Sequence, residues 1–437
     1  MANKDIGILT YDHSINYGAH LQAFALCEKL KHLGYKPHII RWAEHYYRTG
    51  GIEHDNMKPF RDKYLPRTSL CYTEQELQNQ IKNYSKIIIG GDQVFRNWVT
   101  LKELPILRYF GDFISGNKTI GSYGASFGTD TFNGDEVLVD KVKFLLKRFD
   151  KIGVREKSGV DLLKNQFEIE GTEVLDPVFL LKKSEYQKII KKANVNNSQK
   201  DYIAYMILDN ALGLGEIPLE FKNKFLENET IININKNKYG EYNSVEQWLS
   251  YIANAKFIVT DSFHCVAFSI IFNKPFIVVD RDFGGNSRID NILENLNLEY
   301  CRRKSLEELT LKDLNIKIDW KKVNKIIKAE LIKSERFLNE ILRIKPKYKE
   351  PYKDEASGKF RKILEIQYLE NFKKETLEKN VQEKEVQKKK IERNLQEKKV
   401  RKKEVNKIFS VRNEYSANVK RKVVTILGTK IKFKVKD

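Results

Sequence analysis

What the sequence lacks narrows it first. Its 437 residues hold only four cysteines, Cys27, Cys71, Cys265 and Cys301, and none belongs to a C-x-x-C pair. Such spacing speaks against a disulfide framework or a cysteine zinc site and suits reduced thiols. No apolar run approaches about 18 residues, so no helix is expected to span a membrane. The longest candidate, 265–279, is interrupted by Asn273-Lys274-Pro275. The opening MANKDIGILTYDHS has no charged start followed by an apolar core, so a secretory signal is not expected and the protein is placed in the cytoplasm. His13 and His20 belong to no H-E-x-x-H or other compact ligand set, so no metal is expected. No repeat of fixed period is present.

What is there is unevenly distributed. The formal charge is +20, but residues 359–437 carry 25 Lys/Arg against 11 Asp/Glu and leave only +6 for residues 1–358. The main body is therefore not a basic nucleic-acid binder, and the excess charge is a property of the tail. Hydrophobic residues make up 41% of the chain, enough to build real cores.

Strand-like and helix-like patterns alternate along the chain. DIGILTY reads as a strand, AHLQAFALCEKLKHLG as a helix with a glycine stop, and KPHIIRW as the next strand. TEQELQNQIKNY (helix), SKIIIGGDQ (buried strand and turn), TIGSYGASFG, and FLLKRFDKIGVREKSGVDLLKNQ (helix, strand, helix) follow, and TEVLDPVFLL closes the series. After the polar stretch KKANVNNSQKD a second series begins: DYIAYMIL, SVEQWLSYIANA, KFIVTDS, FHCVAFSIIFN, KPFIVVD and RIDNILENLNL. Alternation of this kind predicts parallel sheets covered by helices. The expected organisation is an N-terminal domain over 1–198, a second over 199–345 that ends in a helical pattern at 319–343, and a basic tail over 346–437. Residues 359–407, rich in Lys, Glu and Gln with sparse apolar positions, read as a solvated charged helix. The ending VVTILGTKIKFKVKD alternates apolar residues with lysine and suits a hairpin-like cap or a surface-adhering strand.

In open α/β sheets ligands bind beyond the carboxyl ends of the strands. That rule selects Asn16, the Gly90-Gly91-Asp92-Gln93 turn, Ser122–Phe127, Arg155-Glu156, Asp261-Ser262-Phe263-His264 and residues 281–288. Six of the seven histidines lie in the first 54 residues, and the seventh, His264, stands alone in FIVTDSFHCVAF. Asp261 or Ser262 suits the N-cap of the following helix, which puts His264 in its first turn beside free N–H groups that favour an anion. There an imidazole can bind phosphate or supply a proton; equally, it can be a satisfied buried histidine. Cys265 reads as packing. The Gly-Gly turn is neither G-x-G-x-x-G nor a P-loop, and its plain reading is a tight solvent-exposed turn. Arg155-Glu156 has an equally plain reading as a surface pair.

Taken in order, ILTYDHSINYGAHLQAFAL, IIIGGDQVF, SYGASFG, VREKSGVDLL, VLDPVFLL, TDSFHCVAFSIIFNKPF and SRIDNIL closely resemble the polysaccharide pyruvyl transferase family over residues 5 to about 300. IGGDQVF departs from the commoner Gly-Ser-Asp-Gln-x-Trp form at Gly91 and Phe95. The resemblance implies two Rossmann-like α/β domains facing across a GT-B-like cleft. It also implies transfer of a pyruvyl group from phosphoenolpyruvate to a sugar of a capsule or other surface glycan, as a ketal, with no further cofactor. Under that implication His264 and Asp92 are the catalytic candidates. Arg155, Asp261, Ser262 and Arg288 are the donor-binding ones, and Asn16, Gln93 and Ser126 face the acceptor. The acceptor is a free, nucleotide-linked or lipid-linked sugar. A GT-B-type nucleotide-sugar glycosyltransferase and a non-catalytic glycan-binding protein are the alternatives. The tail ending resembles, more weakly, short basic segments on bacterial capsule and lipooligosaccharide transferases. It suits an anionic membrane surface, a solvated appendage or an oligomerisation arm.

Overall fold

The computed structural model describes residues 4–12, 15–42, 56–97, 107–192, 201–208, 217–218, 221, 225, 229–236, 240–281, 286–353, 409–416, 419–426 and 429–434. Residues up to 365 form one compact unit and residues 366–437 another.

The first unit contains two parallel sheets. Strands β1 (Asp5–Leu9), β2 (Lys36–Trp42), β3 (Arg67–Cys71), β4 (Lys86–Gly90), β5 (Gly116–Ala125), β6 (Lys151–Val154) and β7 (Thr172–Glu173) pair in the order β3-β2-β1-β4-β5-β6-β7. β4, a near-continuous apolar run, is buried along its whole length, as a parallel strand covered on both faces must be. Strands β8 (Tyr202–Met206), β9 (Thr230–Asn233), β10 (Phe257–Thr260), β11 (Phe276–Val279) and β12 (Arg302–Arg303) pair in the order β12-β11-β10-β8-β9. The parallel sheets expected from the alternation are thus present, as two Rossmann-like halves. β3 and β9, edge strands, escape the pattern.

In each sheet the strand order reverses once, between β1 and β4 in the first and between β8 and β10 in the second. At such a point adjacent connections leave to opposite faces and a crevice opens beyond the strand ends.

Helices α1 (Tyr17–His32), α2 (Lys58–Tyr64), α3 (Glu74–Ile81), α4 (Glu136–Leu146), α5 (Lys157–Asn165) and α6 (Lys183–Lys192) accompany the first sheet in the chain, followed by α7 (Val245–Asn254), α8 (Phe263–Phe272), α9 (Ser287–Leu296) and α10 (Trp320–Arg343). α1 starts where the Asn16 side chain accepts from the Ala19 N–H at 3.2 Å, and it ends on Lys29, Lys31 and His32, which suit its negative end. α8 is apolar almost all round and nine of its ten residues are buried; it stops at Asn273, which takes the left-handed conformation.

α10 returns to the first sheet. Phe337 and Ile341 occupy the space beside Gly153 and Gly121, where a Cβ would come within 2.5 Å and 2.8 Å of them. The proline-containing break after it holds a short strand, β13 (Lys347–Lys349), antiparallel to β5. The halves also meet directly. Tyr17 of α1 stacks on Trp248 of α7, centroids 5.0 Å apart and planes 7° from parallel, and its hydroxyl donates to the Asn235 and Asn243 carbonyls at 2.7 and 3.1 Å.

Within the second unit, β14 (Phe409–Ser416), β15 (Val419–Ile426) and β16 (Thr429–Lys434) form an antiparallel meander. The hairpin-like ending therefore has a third strand. The charged stretch read as helix, 359–407, lies outside the described residues.

Candidate active site

Strand ends from both sheets deliver a buried cluster of charge. After β4 the chain turns through Gly91 at φ +67° and Asp92 at φ +60°, left-handed values that glycine adopts freely and Asp tolerates. A Cβ on Gly91 would also meet the Gln22 amide oxygen at 1.5 Å, so this turn needs glycine twice over. The turn is not solvent-exposed: Asp92 is 5% exposed, and its backbone carbonyl accepts from Ser126 N–H at 2.8 Å.

Arg155, first residue beyond β6, has no exposed side-chain surface. It donates to Asp176 at 2.7 Å and to Asp92 at 3.2 Å, and its Nε lies 3.7 Å from Glu156. Burial works against its charge, but the three carboxylates outweigh it and the guanidinium is held above its ordinary range. This corrects the surface-pair reading of Arg155. It is buried beside Glu156, and its hydrogen bonds go to Asp176 and Asp92.

The carboxylates respond differently. Burial raises the Glu156 carboxyl above the usual range, only partly offset by Arg155 and Arg288. Burial also penalises Asp176, but His264 and Arg155 reverse that and hold it well below the usual carboxylate range. Asp176 lies in VLDPVFLL three residues past β7, and the two-residue length of that strand is why the strand-end rule does not reach it.

His264 is the second residue of α8, whose cap is Ser262 and not Asp261. The Ser262 hydroxyl accepts from Cys265 N–H at 3.5 Å. The imidazole is 6% exposed. Its Nε2 lies 3.6 Å from Asp176 Oδ2, an ion-pair distance once the ring is protonated. Its other nitrogen faces α1 at Gly18, where a Cβ would come 1.9 Å from Nδ1. Only glycine leaves the ring its place.

Asp261 does not ligate the crevice freely: it accepts from Leu208 N–H at 2.8 Å and lies 3.7 Å from Arg281 Nε. Burial pushes the Cys265 thiol up to about 12, which makes it inert packing.

Arg288, from the first turn of α9, is 6% exposed. Its guanidinium lies on the Phe263 ring at 5.9 Å, and Arg155 lies 4.7 Å from the same ring. No hydrogen bond to Arg288 occurs among the described residues, and its buried Nε is unsatisfied. Burial first, then Arg155, pushes it down to about 9 despite Asp92 and Glu156 nearby. A guanidinium held this way accepts an anion with its fork of donors.

Of the acceptor-side candidates, Asn16 is exposed at the start of α1, and Gln93 is part-buried with Arg96 donating to its Oε1 at 2.7 Å. Ser126 does not line the open crevice: it is fully buried and accepts from Gly128 N–H at 3.0 Å. Phe95 is fully buried and stacks on Phe110, 5.0 Å apart and 11° from parallel. No cluster of metal-ligating side chains occurs among the described residues.

The sequence model of the family described as polysaccharide pyruvyl transferase matches residues 16–282. None of the curated proteins matches. Among solved structures, a glycosyltransferase from Rickettsia africae aligns over 78% of this chain and 100% of its own at 13% identity and a TM-score of 0.45. A UDP-GlcNAc 2-epimerase from Neisseria meningitidis aligns over 84% and 99% at 11% identity and a TM-score of 0.41. The E. coli ADP-heptose lps heptosyltransferase II aligns over 76% and 99% at 11% identity and a TM-score of 0.32. Likeness this distant says nothing of substrate.

Proposed function

Because the chain belongs to the polysaccharide pyruvyl transferase family, we propose that it transfers a pyruvyl group from phosphoenolpyruvate to a sugar of a cell-surface polysaccharide or its precursor. The product is a ketal. The observation that carries this reading is the pairing of a buried arginine with no hydrogen-bond partner among the described residues, Arg288, with an imidazole set against a carboxylate, His264 beside Asp176.

Making a ketal from an enol phosphate needs a proton on the methylene carbon and a sugar hydroxyl attacking the adjacent carbon. The C–O bond to phosphate breaks, and a second hydroxyl closes the ring. The enol phosphate supplies both the transferred carbon skeleton and the leaving group, so no further cofactor is called for. Arg288 takes one of the donor's two anionic groups. His264, its Nε2 side set against Asp176, is the general acid or the phosphate ligand at the start of α8. Asp92, held by Arg155, and Gln93 orient the sugar hydroxyls.

Titrating the protein with phosphoenolpyruvate should raise its unfolding temperature, and UDP-linked acceptor sugars with phosphoenolpyruvate should gain a pyruvyl mass and release phosphate. Nucleotide release from a sugar nucleotide, with no response to phosphoenolpyruvate, would instead mark a glycosyltransferase.

The C-terminal unit is proposed to hold the enzyme at an anionic membrane surface. No helix among the described residues is long and apolar enough to cross a membrane. The last 30 residues carry 8 Lys/Arg against 2 acidic residues, and each basic residue near such a surface contributes about 1 kcal/mol. A chain ending at Lys353 is expected to stay folded and to lose binding to vesicles containing phosphatidylserine. Binding of the full chain should weaken as salt rises. Equal vesicle binding by both chains would refute the tail's role.

A further inference from the structure

The C-terminal unit carries charge that the crevice does not use, and the pairing of its strands sorts that charge. In an antiparallel sheet, residues two apart along a strand share a face, as do residues directly paired across strands. Arg412 pairs with Val423 and Val423 with Lys432, while Arg421 pairs with Glu414 and with Lys434. Arg412, Arg421, Lys430, Lys432 and Lys434 therefore fall on one face, with Glu414 as its one acidic residue. Val411 pairs with Val424 and Val424 with Ile431, so the opposite face collects Phe409, Val411, Val424, Ile426, Ile431 and Phe433. The charged residues placed on that apolar face are Lys420 and Lys422.

Each face has its own physical task. A three-stranded sheet needs an apolar face to hold together, and Val411, Val424 and Ile431 supply one residue from each strand. The basic face answers no such need. Lysine on an edge strand discourages pairing with another chain, which accounts for Lys430, Lys432 and Lys434 of β16. It does not account for Arg421, which belongs to the central strand β15 and is paired on both sides. The register gathers the cations on an area roughly 14 Å by 10 Å, from the strand rise and spacing. Lys430 on it is exposed.

We infer that this basic face, and not the apolar one, is the surface of the C-terminal unit that meets anionic lipid headgroups. The inference rests on the membrane-surface reading of that unit and names the residues that would carry it. A flat array of cations matches a plane of phosphate and carboxylate groups. Charge on the other face counts for less, because a sheet is about 10 Å thick and the screening length at physiological salt is about 8 Å. The order of strands, more than the number of lysines, then sets the affinity.

Two variants of the full chain remove the same charge from opposite faces: Lys430→Gln with Lys432→Gln, and Lys420→Gln with Lys422→Gln. At physiological salt, binding to vesicles containing phosphatidylserine should fall by about tenfold or more for the first pair and by less than about threefold for the second. Acetylation of the wild-type chain with and without vesicles, read by mass, checks the faces without any replacement. Lys430, Lys432 and Lys434 should be shielded, and Lys420 and Lys422 should react as before. Equal losses in the two variants overturn the inference, because the tail would then act as charge without a face. A larger loss from Lys420 and Lys422, or equal binding to vesicles of phosphatidylcholine alone, overturns it in favour of the apolar face. Undiminished binding by both variants overturns the basic face and leaves the membrane reading standing. A wild-type chain that binds neither kind of vesicle removes the membrane reading and this inference with it.

Discussion

Replacing Arg155 with Ala is expected to cost about 3–5 kcal/mol of stability, the scale for breaking a buried ion pair by removing one partner. Three carboxylates, Asp92, Glu156 and Asp176, converge on this one guanidinium, two of them through hydrogen bonds at 2.7 and 3.2 Å. Without it they lie buried at the end of the first sheet with no compensating fork. Arg155→Lys keeps the charge but cannot span Asp176 and Asp92 together, so it should recover only part of the loss. Denaturant unfolding of the three proteins decides the matter. An Arg155→Ala chain within 1 kcal/mol of wild type would mean that the carboxylates are protonated or solvated, and that the cluster is not held as described.

Replacing His264 acts on turnover. His264→Ala is expected to lower it by roughly 10²-fold or more, the effect of losing a positioned proton donor. Some stability should go with it, because the ring is 6% exposed and fills the space Gly18 leaves. His264→Gln keeps most of the volume and separates the two effects. Asp176→Asn should lower turnover with little change in the Michaelis constant for the acceptor, since it acts through the imidazole. Full specific activity in the folded fraction of His264→Gln would make the histidine structural and take the general acid away from this helix start.

The two replacements probe features of unequal legibility. The alternation of strands and helices was readable because each element carries its own period. α8 could be bounded from Ser262 and the apolar run, and α10 from the helical pattern at 319–343. His264 could be placed in a first turn for the same local reason. β3 could not, because RTSLC is a mostly polar edge strand with little buried face to impose a pattern.

The site depended on distance along the chain. Arg155 and Asp92 are 63 residues apart, and Asn235 meets Tyr17 across 218. No local period reports that β4, β6 and β7 end side by side. Residue type and strand-end position therefore nominated Asp92, Arg155, His264 and Arg288, each by itself. Only the order of strands in the sheets decided that Arg155 would be spent on carboxylates, that Asp176 would stand beside His264, and that Arg288 would have no hydrogen-bond partner among the described residues. Contacts between strand ends are set by sheet topology, and topology is a property of the packed core rather than of any segment that enters it.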